Sequence, residues 1–117
     1  MSTRATILIE SKSNNESLWV YRHCDGYPEG AGEDLKEHLK NHFGVYENSY
    51  NVATSLIKHG NYELTSDFHG DSEFVYKIDE DTKTLTCYAY PIEKHHKGFT
   101  WNEKDIVFTF DFKRRFC

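Results

Sequence analysis

The feature that most constrains the fold is the alternation of apolar and polar residues near the N-terminus. It runs through residues 3–10 and again through residues 18–23, and the polar residues 11–16 between them are typical of a turn. Successive side chains of a strand point to opposite faces, so each alternating segment predicts a strand with one apolar face. Together the two segments predict a β-hairpin.

The apolar positions also predict the register of this hairpin. A slip of one residue would move the aliphatic side chains of one strand to the opposite face. The register that keeps them on one face contains three pairs: Ile9 with Leu18, Ile7 with Val20, and Arg4 with His23. The hairpin is therefore expected to bring a basic side chain next to a titratable one.

Two later segments have the apolar spacing of helices. The first ends at Gly44, and the second begins near Asn48 or Ser49 and ends at Gly60. Side chains that recur every three or four residues lie on one side of a helix, and that side is expected to face the core. The residues predicted to do so are Leu35, Leu39 and Phe43 in the first helix and Val52, Ala53, Leu56 and Ile57 in the second.

The remaining segments alternate like strands. They are residues 62–68, 74–78, 84–90 and 106–112, and residues 91–104 form a long loop before the last of them. Strands placed before and after a helix pair favour an α+β fold over parallel βαβ units. We therefore predict one α+β domain over residues 1–117, with a mainly antiparallel twisted sheet. The sheet consists of the N-terminal hairpin and a C-terminal meander, and two helices pack on one face.

Charge and hydropathy argue against several classes of protein. The formal net charge is −5 and the isoelectric point about 5.8, so no direct binding to nucleic acid is expected. The short basic cluster at residues 113–115 is interpreted as a solvated tail. No apolar run follows the first residues, so neither a signal peptide nor a membrane segment is expected.

The cysteines indicate a reducing compartment. Cys24, Cys87 and Cys117 are odd in number and far apart, and no pair of them has the C-x-x-C spacing. This pattern predicts neither a zinc knuckle nor a redox dithiol. Reduced thiols in a cytosol are the simplest interpretation.

The face of the sheet opposite the helices is predicted to be aromatic. Two short helices cover only one face, and the other face would carry four aromatic side chains: Trp19, Tyr21, Tyr88 and Tyr90. An apolar patch of this kind is typical of an interface. In the alternative interpretation, loop 91–104 folds over the patch with Phe99 and Trp101.

A second candidate site lies where the hairpin meets the first helix. The register places Arg4 beside Tyr21 and His23, with Asp25 within reach. This set could bind a polar ligand or relay a proton, since histidine titrates near neutral pH. In the alternative, Asp25 only orients His23 or caps the turn. Two further residues of the same loop complete the candidate binding set: Tyr27 and Glu29.

Other chemistries are poorly supported at this junction and elsewhere. The glycine spacing in residues 26–32 matches no phosphate-binding motif, and the acidic residues nearby would repel a phosphate. His38 and His42 have a metal-ligating spacing, but Leu39 stands where a zinc protease has its glutamate. No metal site, no cofactor and no catalytic residue is predicted, and an enzymatic activity is not favoured.

Residues 2–7 (Ser-Thr-Arg-Ala-Thr-Ile) and 21–32 (Tyr-Arg-His-Cys-Asp-Gly-Tyr-Pro-Glu-Gly-Ala-Gly) resemble a group of small phage and prophage proteins. These proteins open with a Thr-Arg strand and carry a Tyr-x-His-x-Asp-Gly-Tyr-Pro-Glu-Gly loop before a helix. The resemblance covers about the first third of the chain. It implies a mobile-element protein in a bacterial host cytoplasm, and it supplies no catalytic residues.

Two functional hypotheses follow. The first is a binding protein that inhibits a host protein or protein complex by contact, as an anti-CRISPR-like counter-defence inhibitor would. An aromatic patch supplies anchors for such contact, and negative charge steers the protein toward basic surfaces. The second is a small-ligand or nucleotide-sequestering protein, or a weak hydrolase, that uses the His23–Asp25 loop. A homodimer is an additional expectation, because it would hide apolar surface.

Overall fold

The computed structural model describes residues 3–42, 49–58 and 61–112. This part of the chain contains six strands and two α-helices: β1 (Ala5–Ser11), β2 (Glu16–Arg22), α1 (Glu33–His42), α2 (Ser49–Lys58), β3 (Glu63–Thr65), β4 (Phe74–Asp79), β5 (Thr84–Ala89) and β6 (Ile106–Asp111). Three short helical turns complete it: Pro28–Gly32, Ile92–Lys97 and Glu103–Asp105. The predicted α+β class is confirmed. Within these residues no helix is long and apolar enough to cross a membrane.

The strands form one sheet in the order β3-β2-β1-β4-β5-β6. The hairpin has the predicted register, with Ile9 opposite Leu18 and Ile7 opposite Val20. The meander β4-β5-β6 is also present, and most of the sheet is antiparallel. The exception is the pairing of β1 with β4, which is parallel and was not predicted. It joins the hairpin to the meander at the centre of the sheet.

The two central strands of the sheet, β1 and β4, are buried on both faces. Residues 5–9 of β1 are all buried, and in β4 both Val75 and Tyr76 are fully buried although they point to opposite faces. A strand of this kind needs a covering layer on each side. Alternation predicts only one apolar face for each strand, so the burial of Leu8 and Val75 on the other face was not predicted.

The helices cover one face, as predicted. Their buried side chains pack with the sheet core, and these are Leu35 and Leu39 of α1 and Val52, Ala53 and Leu56 of α2. The prediction that Ile57 is buried is wrong, since 36% of its surface is exposed and it lies on the outer side of α2. The predicted positions Phe43, Gly44, Asn48 and Gly60 lie outside the described residues.

The strand predicted over residues 62–68 is shorter in the structure. It covers Glu63–Thr65 and adds to the hairpin at β2 instead of the meander. Tyr62, which precedes this strand, has its side chain buried in the core. Its hydroxyl lies 2.8 Å from Nη1 of the buried Arg22 and donates to Asp34 at 2.7 Å. This network fixes the first turn of α1 to the end of β2.

At the opposite end of the sheet, the β4–β5 turn is tied to the β1–β2 turn through Asp81. Its carboxylate accepts hydrogen bonds from the hydroxyls of Ser11 and Ser13, at 2.8 and 2.6 Å, and from the Ser13 amide at 3.0 Å. The Ser13 and Ser11 hydroxyls stabilise the charged form and lower the pKa of Asp81 to about 2. These contacts hold together two turns that are about seventy residues apart in sequence.

We expect Asp81→Asn to lower the melting temperature at neutral pH, by a difference that becomes small as the pH falls to 2. The pKa of Asp81 is depressed on folding, so its contribution is complete above the ordinary value of 3.8 and is lost as the pH falls through about 2. Thermal unfolding of both proteins between pH 7 and pH 2 measures this. Ser13→Ala removes the hydroxyl that donates to Asp81 and should change the pH dependence of the melting temperature in the same direction. Parallel curves for wild type and Asp81→Asn would contradict this role.

Candidate functional site

The first candidate site lies on the face opposite the helices, at the end of β2. Tyr21 is buried there, its hydroxyl lies 3.3 Å from Nδ1 of His23, and its ring stacks on His69 with centroids 4.0 Å apart. Arg4 reaches the same place, with Nε 3.4 Å from the carboxylate of Asp71. We name these five residues the histidine cluster. The predicted neighbourhood of Arg4, Tyr21 and His23 therefore exists, and two further residues join it.

Electrostatics in this cluster favour the neutral form of Tyr21. Burial raises the pKa of its hydroxyl, the carboxylate of Asp71 raises it further, and the nearby Arg4 works in the opposite direction. The hydroxyl therefore keeps its proton at neutral pH and is available to His23 as a hydrogen-bond partner.

A small cavity of about 230 Å³ opens next to this cluster. Its lining is formed by Tyr21, His23, Cys24, Asn61, Tyr62 and Glu63. His23 and Cys24 are exposed at its mouth, so an imidazole and a thiol both face solvent there. The cavity presents hydrogen-bonding groups of several kinds beside a similar amount of apolar surface, which suits a small ligand with polar groups.

Asp25 does not join the histidine cluster. Asp25 is predicted to lie within reach of His23, but no hydrogen bond or ion pair joins the two among the described contacts. The Asp25 carboxylate instead accepts from the hydroxyl of Tyr27 at 3.4 Å. The backbone explains the difference, because Asp25 has a φ of 56°, in the left-handed region. This conformation turns the chain into the helical segment that begins at Pro28. Tyr27 and Glu29 are exposed beside and within that segment, and no described hydrogen bond joins either of them to His23.

The turn around Asp25 is held by its backbone. The Gly26 amide donates to the Thr3 carbonyl at 2.8 Å, and the Ala31 amide donates to the Asp25 carbonyl at 2.7 Å. From the core, the Tyr76 hydroxyl donates to the Gly26 carbonyl at 2.7 Å. In the loop that carries the sequence resemblance, residues 25–32 therefore connect β2 to α1 and have a structural role. Only the first residues of the loop line the cavity.

The second candidate site is a chain of aromatic rings on the same face. Phe68 lies 6.2 Å from Trp19 and 5.4 Å from Phe99 between ring centroids, and Trp101 lies 4.8 Å from Phe99 and 5.1 Å from Tyr88. All five side chains keep part of their surface in solvent, and 42% of Trp101 is exposed. We name them the aromatic surface. Lys77 lies over the Trp101 ring, 5.3 Å from its centroid.

The two interpretations of the predicted aromatic face each describe part of it. Tyr21 and Tyr90 are buried, with 5% and 2% of their surface exposed, so they are not available as contact residues. Tyr90 is covered by the 91–104 segment, where His95 stacks on it and Phe99 lies 5.3 Å away. Trp19 and Tyr88 are only half-buried. The segment therefore covers the inner part of the face and adds Phe99 and Trp101 to the outer part.

Sequence reasoning missed the residues that segment 66–73 brings to both sites. Phe68 belongs to the aromatic surface, and the next residue, His69, belongs to the histidine cluster. The segment is fixed by its backbone, since the His69 amide donates to the Thr6 hydroxyl at 3.3 Å and Thr6 bonds Ser72 at 2.6 Å. No periodicity marks residues 69–73, so the sequence contains no signal for this placement.

The described histidines His38 and His95 have hydrogen-bond partners within the protein. His38 is buried, and its Nε2 lies 2.8 Å from the Ser55 hydroxyl. Nε2 of His95 donates to the Tyr90 carbonyl at 2.9 Å. The side chain of His42 lies outside the described part of the chain. Among the side chains that are described, no group of three or more His, Cys, Asp or Glu residues is placed to hold a metal ion.

Comparison with models of protein families, with curated proteins and with solved structures gave no match to this chain.

We expect Gly30→Ala to destabilise the protein by about 1–3 kcal/mol, the usual effect of overpacking a tight site. A Cβ at Gly30 would collide with the carbonyl oxygen of Asp25, and neither backbone segment is free to move. Denaturant unfolding measures the change. Gly70→Ala is the matched control, since a Cβ there meets no atom within 4 Å. Equal free energies of unfolding for the two variants would show that the turn is not tightly packed.

Proposed function

We propose that this protein is a binding module encoded by a phage or another mobile element, and that it inhibits a host protein or protein complex by direct contact. A counter-defence role, like that of an anti-CRISPR inhibitor, is one form of this proposal that suits the mobile-element setting implied by the sequence resemblance. The observation that carries the binding role is the aromatic surface, in which five rings on one face contact each other and stay partly exposed.

The arrangement of the rings supports a role in contact. Aromatic residues are enriched at the centres of protein interfaces, and tryptophan is prominent among the residues that dominate binding energy. Trp101 is held edge-on against Tyr88 and Phe99, and Lys77 lies over its ring. Because these contacts already restrict its rotamers, a partner that covers Trp101 loses little conformational entropy.

Charge supports a partner with a basic surface. The formal net charge of −5 attracts positively charged proteins over a distance and repels nucleic acid. Host proteins that bind nucleic acid have such basic surfaces, and an acidic protein that covers one would block access to it. A homodimer through the aromatic surface is the competing arrangement, and it is distinguished by the mass of the purified protein in solution.

We expect Trp101→Ala to weaken binding to the host partner by at least about tenfold, in the range found for tryptophan at the centre of an interface. The partner is first captured from a lysate of susceptible bacteria on immobilised wild-type protein, and it is then purified and titrated by calorimetry. Ile57→Ala is the control, since Ile57 is similarly exposed but lies on α2, behind the sheet.

Three results would contradict the proposal. They are equal binding by Trp101→Ala and wild type, loss of binding with Ile57→Ala instead, and the absence of any stoichiometric partner. For the counter-defence role, expression of the wild-type protein should raise phage plaquing on an immune host, and the Trp101→Ala protein should not.

A second candidate function is the binding of a small polar ligand in the cavity beside the histidine cluster. The specific observation is the convergence of His23, Cys24 and Glu63 on one cavity of about 230 Å³. Asp25 is not part of this site, so the hydrolase form of the hypothesis loses the carboxylate on which it depended. A sequestering role needs only the cavity.

We expect His23→Ala to leave the melting temperature unchanged, because the side chain is exposed and its one described hydrogen bond, to Tyr21, is long. If the cavity holds a ligand, native mass spectrometry of gently purified wild-type protein will show excess mass that disappears on denaturation. The variant will then lack that excess mass. A fall in melting temperature without any bound mass would assign His23 a structural role.

A further inference from the structure

An open apolar groove lies at one end of the sheet, away from the aromatic surface. Its volume is about 380 Å³, and it lies where β4 begins and β5 ends. The lining comprises four apolar residues and two acidic ones: Phe74, Ala89, Pro91, Ile92, Glu73 and Glu93. Ile92 has 73% of its surface exposed, the largest fraction given for a large apolar side chain in the described residues.

The walls of this groove are held in place by backbone contacts. The Tyr90 amide donates to the Glu73 carbonyl at 2.8 Å, and the Glu73 amide donates to the Arg4 carbonyl at 2.9 Å. On the other wall, Pro91 starts a helical turn in which the Lys94 amide donates to its carbonyl at 2.9 Å. The floor is formed by Phe74, which packs against the core. Ile92 therefore lies on a backbone segment that hydrogen bonds hold in place.

The two carboxylates of the groove form no ion pair with the described part of the chain. Among the described residues, no cation forms an ion pair with Glu73 or Glu93. The adjacent Lys94 extends to Asp105 instead, with Nζ 2.7 Å from Oδ1. Within residues 3–42, 49–58 and 61–112, two carboxylates thus flank an apolar surface without a cation paired to them. A ligand complementary to this groove combines an apolar side chain with positive charge beside it.

We infer that this groove binds a short basic segment of a partner protein, in which one or two leucine-like side chains are flanked by Lys or Arg. The apolar side chain lies against Phe74 and Ile92, and the flanking cations approach Glu73 and Glu93. This inference rests on the proposed function as a binding module and identifies the chemistry of the partner. The groove and the aromatic surface would then be two separate contacts with a basic partner.

The probe is a pair of capped hexapeptides, Arg-Lys-Leu-Leu-Lys-Arg and Glu-Glu-Leu-Leu-Glu-Glu, titrated into isotope-labelled protein and followed by NMR. We expect only the basic peptide to bind, with a dissociation constant of about 1 mM, and to shift the amides of Phe74, Ala89 and Ile92. Added salt should weaken this binding, because the charges are exposed.

Variants separate the two kinds of contact. The double variant Glu73→Gln with Glu93→Gln should weaken binding of the basic peptide about fivefold, and Ile92→Ser should weaken it about tenfold. Ile92→Ser should keep the wild-type melting temperature, because the side chain is mostly exposed. Ile57→Ala is the control that leaves peptide binding unchanged.

Each other outcome would overturn the inference. Equal binding of the acidic peptide would remove the charge argument, shifts centred on Trp101 would assign the peptide to the aromatic surface, and no shift up to about 5 mM peptide would leave the groove without this ligand. The assay needs no host protein. Its failure is therefore distinguishable from failure of the proposed function, which the Trp101→Ala titration tests separately.

Discussion

The parallel pairing of β1 with β4 is the contact on which the rest of the structure depends. It places two strands at the centre of the sheet whose side chains are buried on both faces, so the sheet needs a layer on each side. The helices provide one layer. Two connecting segments, residues 66–73 and the 91–104 segment, provide the other. Both candidate sites lie in this second layer.

A layer made of loops differs chemically from a layer made of helices. Loops present polar and aromatic side chains at a surface that the sheet keeps rigid, and for this reason they often carry binding residues. Here one loop serves both sites, since the consecutive residues Phe68 and His69 face the aromatic surface and the histidine cluster respectively. The bond between Thr6 and Ser72 anchors this loop to the central strand. A change that loosens the loop would therefore disturb both sites together.

The three surfaces described here have different chemical character. The aromatic surface is apolar with Lys77 at one end, the cavity beside the histidine cluster is lined by hydrogen-bonding side chains and apolar surface, and the groove at Ile92 is apolar with acidic flanks. The first and third suit contact with another protein, whereas the second suits a small molecule. The histidine cluster and the groove share structural support through Arg4. Its side chain pairs with Asp71 in the cluster, and its carbonyl accepts from the Glu73 amide at the groove.

The sequence by itself determined the local elements. Alternation and turn residues predicted the hairpin with its register, the helices on one face and the meander, because these depend on contacts between residues that are near in sequence. Only the tertiary structure decided the parallel pair, the burial of Tyr21 and Tyr90, the separation of Asp25 from His23, and the arrival of Phe68 and His69 at the sites. The parallel pair and the placement of segment 66–73 are long-range contacts, and no local pattern encodes which distant segment covers a given face. The turn at Asp25 depends on one backbone angle, which residue type alone does not fix.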